Sequence, residues 1–108
     1  MRLAQHAVEA RELDLLVVLG KTEPIRVFEL LAPAGELAPT LAELRGLFEE
    51  GLAAYRATKW DVADRKFREC LRIKPDDVPS HTFVERVAVL QAHPPSASWN
   101  GGWTMDHK

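Results

Sequence analysis

Few residues in this chain combine the types and spacing that chemistry needs. The histidines His6, His81, His93 and His107 are far apart. No two stand at the i, i+4 spacing with which a helix offers a metal two imidazoles, so they read as surface residues. No serine, threonine or cysteine has a base at a recognisable catalytic spacing, which leaves nucleophilic catalysis without an activated group. Glu49-Glu50 and Asp76-Asp77 are neighbouring carboxylates. Acid–base work would need burial to drive their pKa values apart, and they read instead as solvated charge. Arg65, Arg68 and Arg72 fall on one side of a helix, either as its solvated face or as a site for an acidic partner. The remaining candidates are apolar. Phe48, Leu52, Tyr55 and Trp60 recur at helical spacing and, with Arg65 and Arg68, are the residues expected to contact a partner. For this chain alone we expect no catalysis, no cofactor and no metal.

The elements that must position these residues centre on Leu44 to Pro75. Leu44, Leu47, Phe48, Gly51, Leu52 and Tyr55 put one apolar stripe on a first helix. Trp60, Ala63, Phe67, Cys70 and Leu71 do the same on a second, after a tight corner at Ala57-Thr58-Lys59. Small Gly51 and Ala63 let the two backbones approach, with Phe67 and Leu71 filling the space beside them. Thr40 with Glu43 forms a capping box after Pro39, and Asp61 is an N-cap for the second helix. Lys74-Pro75 ends that helix, because the residue before proline disfavours helical dihedrals. Asp76 or Asp77 then caps a third helix at about Val78 to Ala92, with Phe83, Val84, Val87, Ala88 and Leu90 on one side and Pro79 in its first turn.

Gly51, Ala63-x3-Phe67 and Pro75 carry a resemblance to a single tetratricopeptide (TPR) unit, with Trp60 where an aromatic commonly opens the second helix. Leu47 and Glu50 stand where that pattern prefers Trp and Leu, and Ala54 occupies its Tyr place. The 34-residue period is not refilled downstream, since Gly51 maps to Glu85 and Phe67 to Gly101. The third helix is therefore expected to cap the pair. The fold class expected is mainly α: a TPR-like antiparallel helical hairpin plus a capping helix over residues 40–92, preceded by a short β-hairpin. One such unit cannot bury its own apolar face, so something else must cover it.

Before the helices the pattern changes. Residues 1–10 are polar and alanine-rich with a poor stripe, and read as a frayed helix or a remnant. Leu13 to Leu19 are too continuously apolar for a surface helix. After a Gly-Lys-Thr-Glu-Pro break, Ile25, Val27 and Glu29 alternate with Arg26, Phe28 and Leu30, a β-hairpin signature over about 12–31. The segment RELDLLVVLGKTEPIRVFELL resembles the closing strands of the class III adenylate/guanylate cyclase catalytic domain. Arg11, Leu13, Asp14, Val18, Gly20, Lys21, Pro24, Val27, Glu29 and Leu30 carry the match, and Ile25 and Phe28 are conservative replacements. In that family such strands are often followed by TPR-like helices, as here.

The resemblance implies that residues 1–31 are a remnant of the catalytic domain and that the helices form its regulatory, interacting module. The active site would be dimeric, and the parent would need Mg or Mn. The metal-binding aspartates and base-reading residues would precede residue 1. Leu19 stands where the family has a phosphate-contacting lysine. Lys21 is the nearest substitute for that phosphate contact, and is otherwise a solvated turn lysine. The partner expected is a protein or a second copy, as a homodimer. A free-standing peptide-binding adaptor of the TPR type is the alternative, though Phe48 and Leu52 in place of polar residues argue against a carboxylate clamp.

Composition bounds the rest. The chain has 108 residues, 46% of them hydrophobic and 28% charged, a net charge of -2 and a pI near 6.1. Nothing there favours nucleic acid or an anionic membrane. No apolar run approaches the roughly 20 residues of a membrane helix. A lone cysteine, Cys70, suits a reducing cytosol and reads as a buried small hydrophobe, with any membrane anchor of a parent lying upstream. Residues 32–39 read as a linker. Residues 93–108 read as a tail that is either flexible or folds Trp99 and Trp103 onto the helices, covering surface a further repeat would have buried.

Overall fold

A computed structural model of the chain describes residues 8–17 and 23–104. Two strands, β1 (Val8–Val17) and β2 (Ile25–Pro33), precede three helices, α1 (Pro39–Arg56), α2 (Trp60–Ile73) and α3 (Val78–Ala92), and a two-residue strand β3 (Trp103–Thr104) follows. The chain divides into two compact units, residues 1–43 with 102–108, and residues 44–101. A mainly helical chain with a β-hairpin at its start is the architecture expected.

In the sheet unit, β1 and β2 pair antiparallel, and β3 adds to β1 in parallel through Leu16↔Trp103 and Val17↔Thr104. The order is β2-β1-β3. A third strand matters because two strands alone are marginal in water. Trp103 thus joins the sheet, whereas the sequence suggests a flexible end or a place on the helices. β1 starts at Val8, ahead of the expected Glu12, and β2 runs on to Pro33. The register shifts between Glu9 and Ala10 and again between Glu12 and Asp14. At the second shift the Asp14 carboxylate accepts the Leu15 N–H at 2.8 Å, giving the irregular backbone a local partner. Gly35, at φ 79°, turns the chain after β2, and its N–H donates to the Glu9 carboxylate at 3.0 Å.

The helical unit follows from its end signals. The Ala42 N–H donates to the Ala38 carbonyl at 2.9 Å, so α1 begins with Pro39 in its first turn, where its missing N–H costs nothing. The expected capping box is displaced accordingly: Thr40 lies inside the turn. α1 ends with Thr58 N–H to Tyr55 O at 3.1 Å and Lys59 N–H to Ala54 O at 2.8 Å, a Schellman closure. That closure needs a left-handed residue, and Thr58 supplies it at φ 61°. A β-branched residue there costs about 1–2 kcal/mol against glycine. α2 starts at Trp60, preceded by Lys59 with no side-chain cap, so Asp61 sits in the first turn and not at the cap. Its charge there still opposes the helix dipole favourably. Asp77 is the N-cap residue of α3, and its buried carboxylate accepts the Ser80 hydroxyl at 2.6 Å.

The core lies among the three helices. A Cβ added to Gly51 would sit 2.8 Å from the Phe67 ring, so the glycine is what admits Phe67. Ala63, Phe67 and Cys70 have no exposed surface. Leu71 is half-exposed and outside this core. On α3 the buried stripe is Ser80, Phe83 and Val87, while Ala88 is exposed and Val84 and Leu90 are intermediate.

Candidate functional site

Six of the eight aromatic side chains of this chain meet in one run. Phe48 lies edge-on to Phe67 at 5.2 Å, and Phe67 stacks on Phe83 at 5.0 Å. Phe83 meets Tyr55 edge-on at 4.9 Å. Tyr55 then meets Trp99 at 5.4 Å and Trp60 at 5.9 Å. Each such pair adds about 0.5–1.5 kcal/mol beyond area burial. The run starts in the core and ends at the surface, where Trp60 and Trp99 lie 5.9 Å apart and tilted by 46°.

The two indoles border a cleft of about 390 Å³ between the α1–α2 corner and the segment after α3. Arg56, Thr58, Pro94, Pro95 and Ser96 are among its other walls. A second hollow of about 330 Å³ also has Trp60 in its wall, with Thr58, Lys59, Asp61, Val62 and Gln91. Gln91 reaches the Asp61 carboxylate there with its amide at 3.3 Å. Gly101, at φ 86°, closes on the Arg56 stem, so tightly that a Cβ added to it would lie 3.0 Å from the Arg56 Cγ. The tail therefore packs on the helices through Trp99 and Gly101.

Of the residues expected to contact a partner, Phe48, Leu52 and Tyr55 are only 0%, 3% and 1% exposed. They hold the chain's own core, because α3 and Trp99 cover the face that a lone helical pair would have left open. Trp60 remains half-exposed, and Arg65 and Arg68 are exposed. Arg68 is ion-paired to Asp64 at 2.9 Å, one turn back on the same helix. Lys66 bridges instead to Glu50 on α1 at 2.9 Å, and that hydrogen bond holds its pKa above the usual lysine value. The Cys70 thiol is buried against the Leu44 carbonyl at 3.7 Å. Lys21, with Leu19, His6 and His107, lies outside the described residues.

A different surface stands open in the sheet unit. β2 is an edge strand among the described residues, and Phe28 and Leu30 are 55% and 70% exposed. Both point to the same face, since side chains two apart along a strand share one. Arg26 and Glu12 pair on it at 2.7 Å. On the opposite face Arg11 is buried and directly across from Glu29, which accepts its Nε–H at 3.1 Å.

Trp60 and Trp99 stand out in the sequence, whereas Thr58, Arg56, Pro94 and Pro95 do not announce themselves there as cleft walls. A corner between helices without glycine, and a Pro-Pro step four residues ahead of a tryptophan, are the signals that point to them. Among the described residues no helix is long and apolar enough to cross a membrane, and no three His, Cys, Asp or Glu side chains converge as a metal site. Comparison with family models, with curated proteins and with solved structures finds no match to this chain.

Proposed function

We propose that this chain is the non-catalytic regulatory and protein-interaction segment of a class III adenylate/guanylate cyclase: the last strands of the catalytic domain followed by a TPR-like helical module. The observation that carries the reading is the hairpin. Arg11 and Glu29, both on the residues that resemble the cyclase strands, are cross-strand partners with their charges paired. The exposed Phe28 and Leu30 on edge strand β2 are what a strand belonging to a larger sheet leaves uncovered when it stands by itself. The TPR-like assignment draws support from Gly51 beneath the Phe67 ring, the fully buried Ala63 and the close of α2 ahead of Pro75.

With the helical face occupied by its own core, the contacts of this module with a protein partner or a second copy fall to other surfaces. The β2 face is the first of them, through Phe28 and Leu30 in place of Phe48, Leu52 and Tyr55. The cytoplasm is the compartment that fits cyclic-nucleotide signalling, and Mg or Mn would be bound by the parent's upstream aspartates. Two measurements test this. The reading frame preceding residue 1 should encode a cyclase core with its metal-binding aspartates, and a frame without one overturns the assignment. Sedimentation of the full chain should show a dimer that Phe28→Ser with Leu30→Ser dissolves. A dimer untouched by those changes removes the β2 face from the proposal.

A further inference from the structure

The cleft at the α1–α2 corner has a shape and a chemistry that point to a ligand. Its two hollows, about 390 and 330 Å³, share Thr58 and Trp60 as walls and so adjoin one another at Trp60. The walls of the larger one include four ring-bearing side chains, Trp60, Trp99, Pro94 and Pro95. Tyr55 lies edge-on to both indoles and fixes their tilt, so the ring surfaces are in place before anything binds. Ring-faced grooves of this kind suit a polyproline II segment, which has no internal hydrogen bonds, presents a pyrrolidine ring at each turn and loses little entropy on docking.

Charge narrows the occupant. The ionisable residues bordering the two hollows are Arg56, Lys59 and Asp61, two cations against one anion. Asp61 accepts from the Gln91 amide at 3.3 Å, which leaves its charge in place. Asp61 and Lys59 are both exposed, so the borders carry an excess of one positive charge. An acidic side chain beside the prolines would therefore be favoured and a basic one opposed. The third observation is strain. Thr58 borders both hollows and holds a left-handed backbone that glycine would adopt freely. A strained residue that persists at the wall of a cleft marks a place where the side chain serves something other than stability.

We propose that the groove across Trp60 binds an extended, proline-rich peptide segment carrying acidic side chains. This binding is independent of the cyclase reading, so either can fail while the other survives.

Tryptophan fluorescence of the full chain, titrated with a capped peptide of repeating Pro-Pro-Glu, tests it. Repeating Gly-Ser-Glu and Pro-Pro-Lys peptides serve as controls. The expected result is a saturable change, with Pro-Pro-Glu binding about tenfold more tightly than either control. Thr58→Gly should raise the melting temperature and yet weaken the peptide about threefold, since it relieves the backbone while removing a wall. Lys59→Glu, at an exposed position, should weaken Pro-Pro-Glu and strengthen Pro-Pro-Lys, each by about tenfold. Equal affinity for Gly-Ser-Glu reduces the effect to charge and overturns the proposal. So does the lack of a saturable change. A fluorescence change that follows protein concentration without peptide makes a second copy the occupant, and overturns it too.

Discussion

In the helical unit Phe48, Phe67, Phe83 and Tyr55 close on one another and leave almost no surface, while in the sheet unit Phe28 and Leu30 stand largely in solvent. The helices meet over a position with no side chain, Gly51, which the Phe67 ring fills. The strands meet through a ladder interrupted by two register shifts and fastened by the Arg11–Glu29 and Glu12–Arg26 pairs. Stability and availability are thus divided between the units. The residues that hold the helical unit together are not the exposed ones, with the Trp60–Trp99 cleft as the place where one end of the core reaches the surface.

The strongest test of that division compares apolar truncations. Phe67→Ala should cost about 3–5 kcal/mol, by losing a fully buried ring and leaving a cavity, and thermal melting should show it as partial or complete unfolding. Leu30→Ser, compared at a dilution where both proteins are monomeric, should change stability by no more than about 0.5 kcal/mol, as a surface change. Comparable losses at the two positions would break the comparison.

The same substitution at two glycines of α1 sharpens it. Gly51→Ala puts a methyl 2.8 Å from Phe67, and the overpacking, about 1–3 kcal/mol, should outweigh the gain in helix propensity. Gly46→Ala meets nothing within 4 Å and should stabilise by about 0.5–1 kcal/mol. Denaturant midpoints with unchanged m-values would verify the opposite signs.

Thr58→Gly should stabilise by about 1 kcal/mol, because the corner keeps its two Schellman hydrogen bonds and loses its strain. A neutral or destabilising result would mean that the threonine side chain supports the corner itself.

The smallest effect concerns Lys66. Its pKa is raised above 10.5 by the hydrogen bond to Glu50 and by that residue's charge. A raised lysine pKa adds stability that is fully present below the ordinary value and is lost as pH climbs through the folded-state value. Glu50→Gln should therefore return the Lys66 titration, followed by NMR, to the ordinary lysine range. It should leave the melt at neutral pH almost unchanged, as expected of a solvent-exposed pair.

Much of the helical unit was legible because its signals are local. Apolar spacing on α1 and α2, the Ala57–Lys59 corner and the stop at Pro75 are each decided within a few residues of sequence. Cap positions were harder, since a proline in the first turn, as at Pro39, competes with Thr40 for the start of the helix. What covers the apolar face was legible only in part: the capping helix and a fold-back of Trp99 are readable in the sequence, but not that together they close over Phe48 and Tyr55. Phe48, Leu52 and Tyr55 look the same in sequence whether they meet a partner or their own Phe83 and Trp99, and only the long-range fold chooses. The pairing of Trp103 with Leu16 was hidden for the same reason, as was the cleft, whose walls come from two distant stretches of chain.

The parallel pairing of β3 with β1 also sets an order of events during synthesis. β1 and β2 are neighbours in the chain and can zip as soon as both have left the ribosome, whereas β3 emerges only after all three helices. Closing so long a loop is slow compared with forming a hairpin, so the Leu16–Val17 end of β1 lacks its β3 partner for the time it takes to translate the helical unit. The last step of sheet formation is therefore the pairing of Trp103 and Thr104 with that end of β1, after the helices between them have been made.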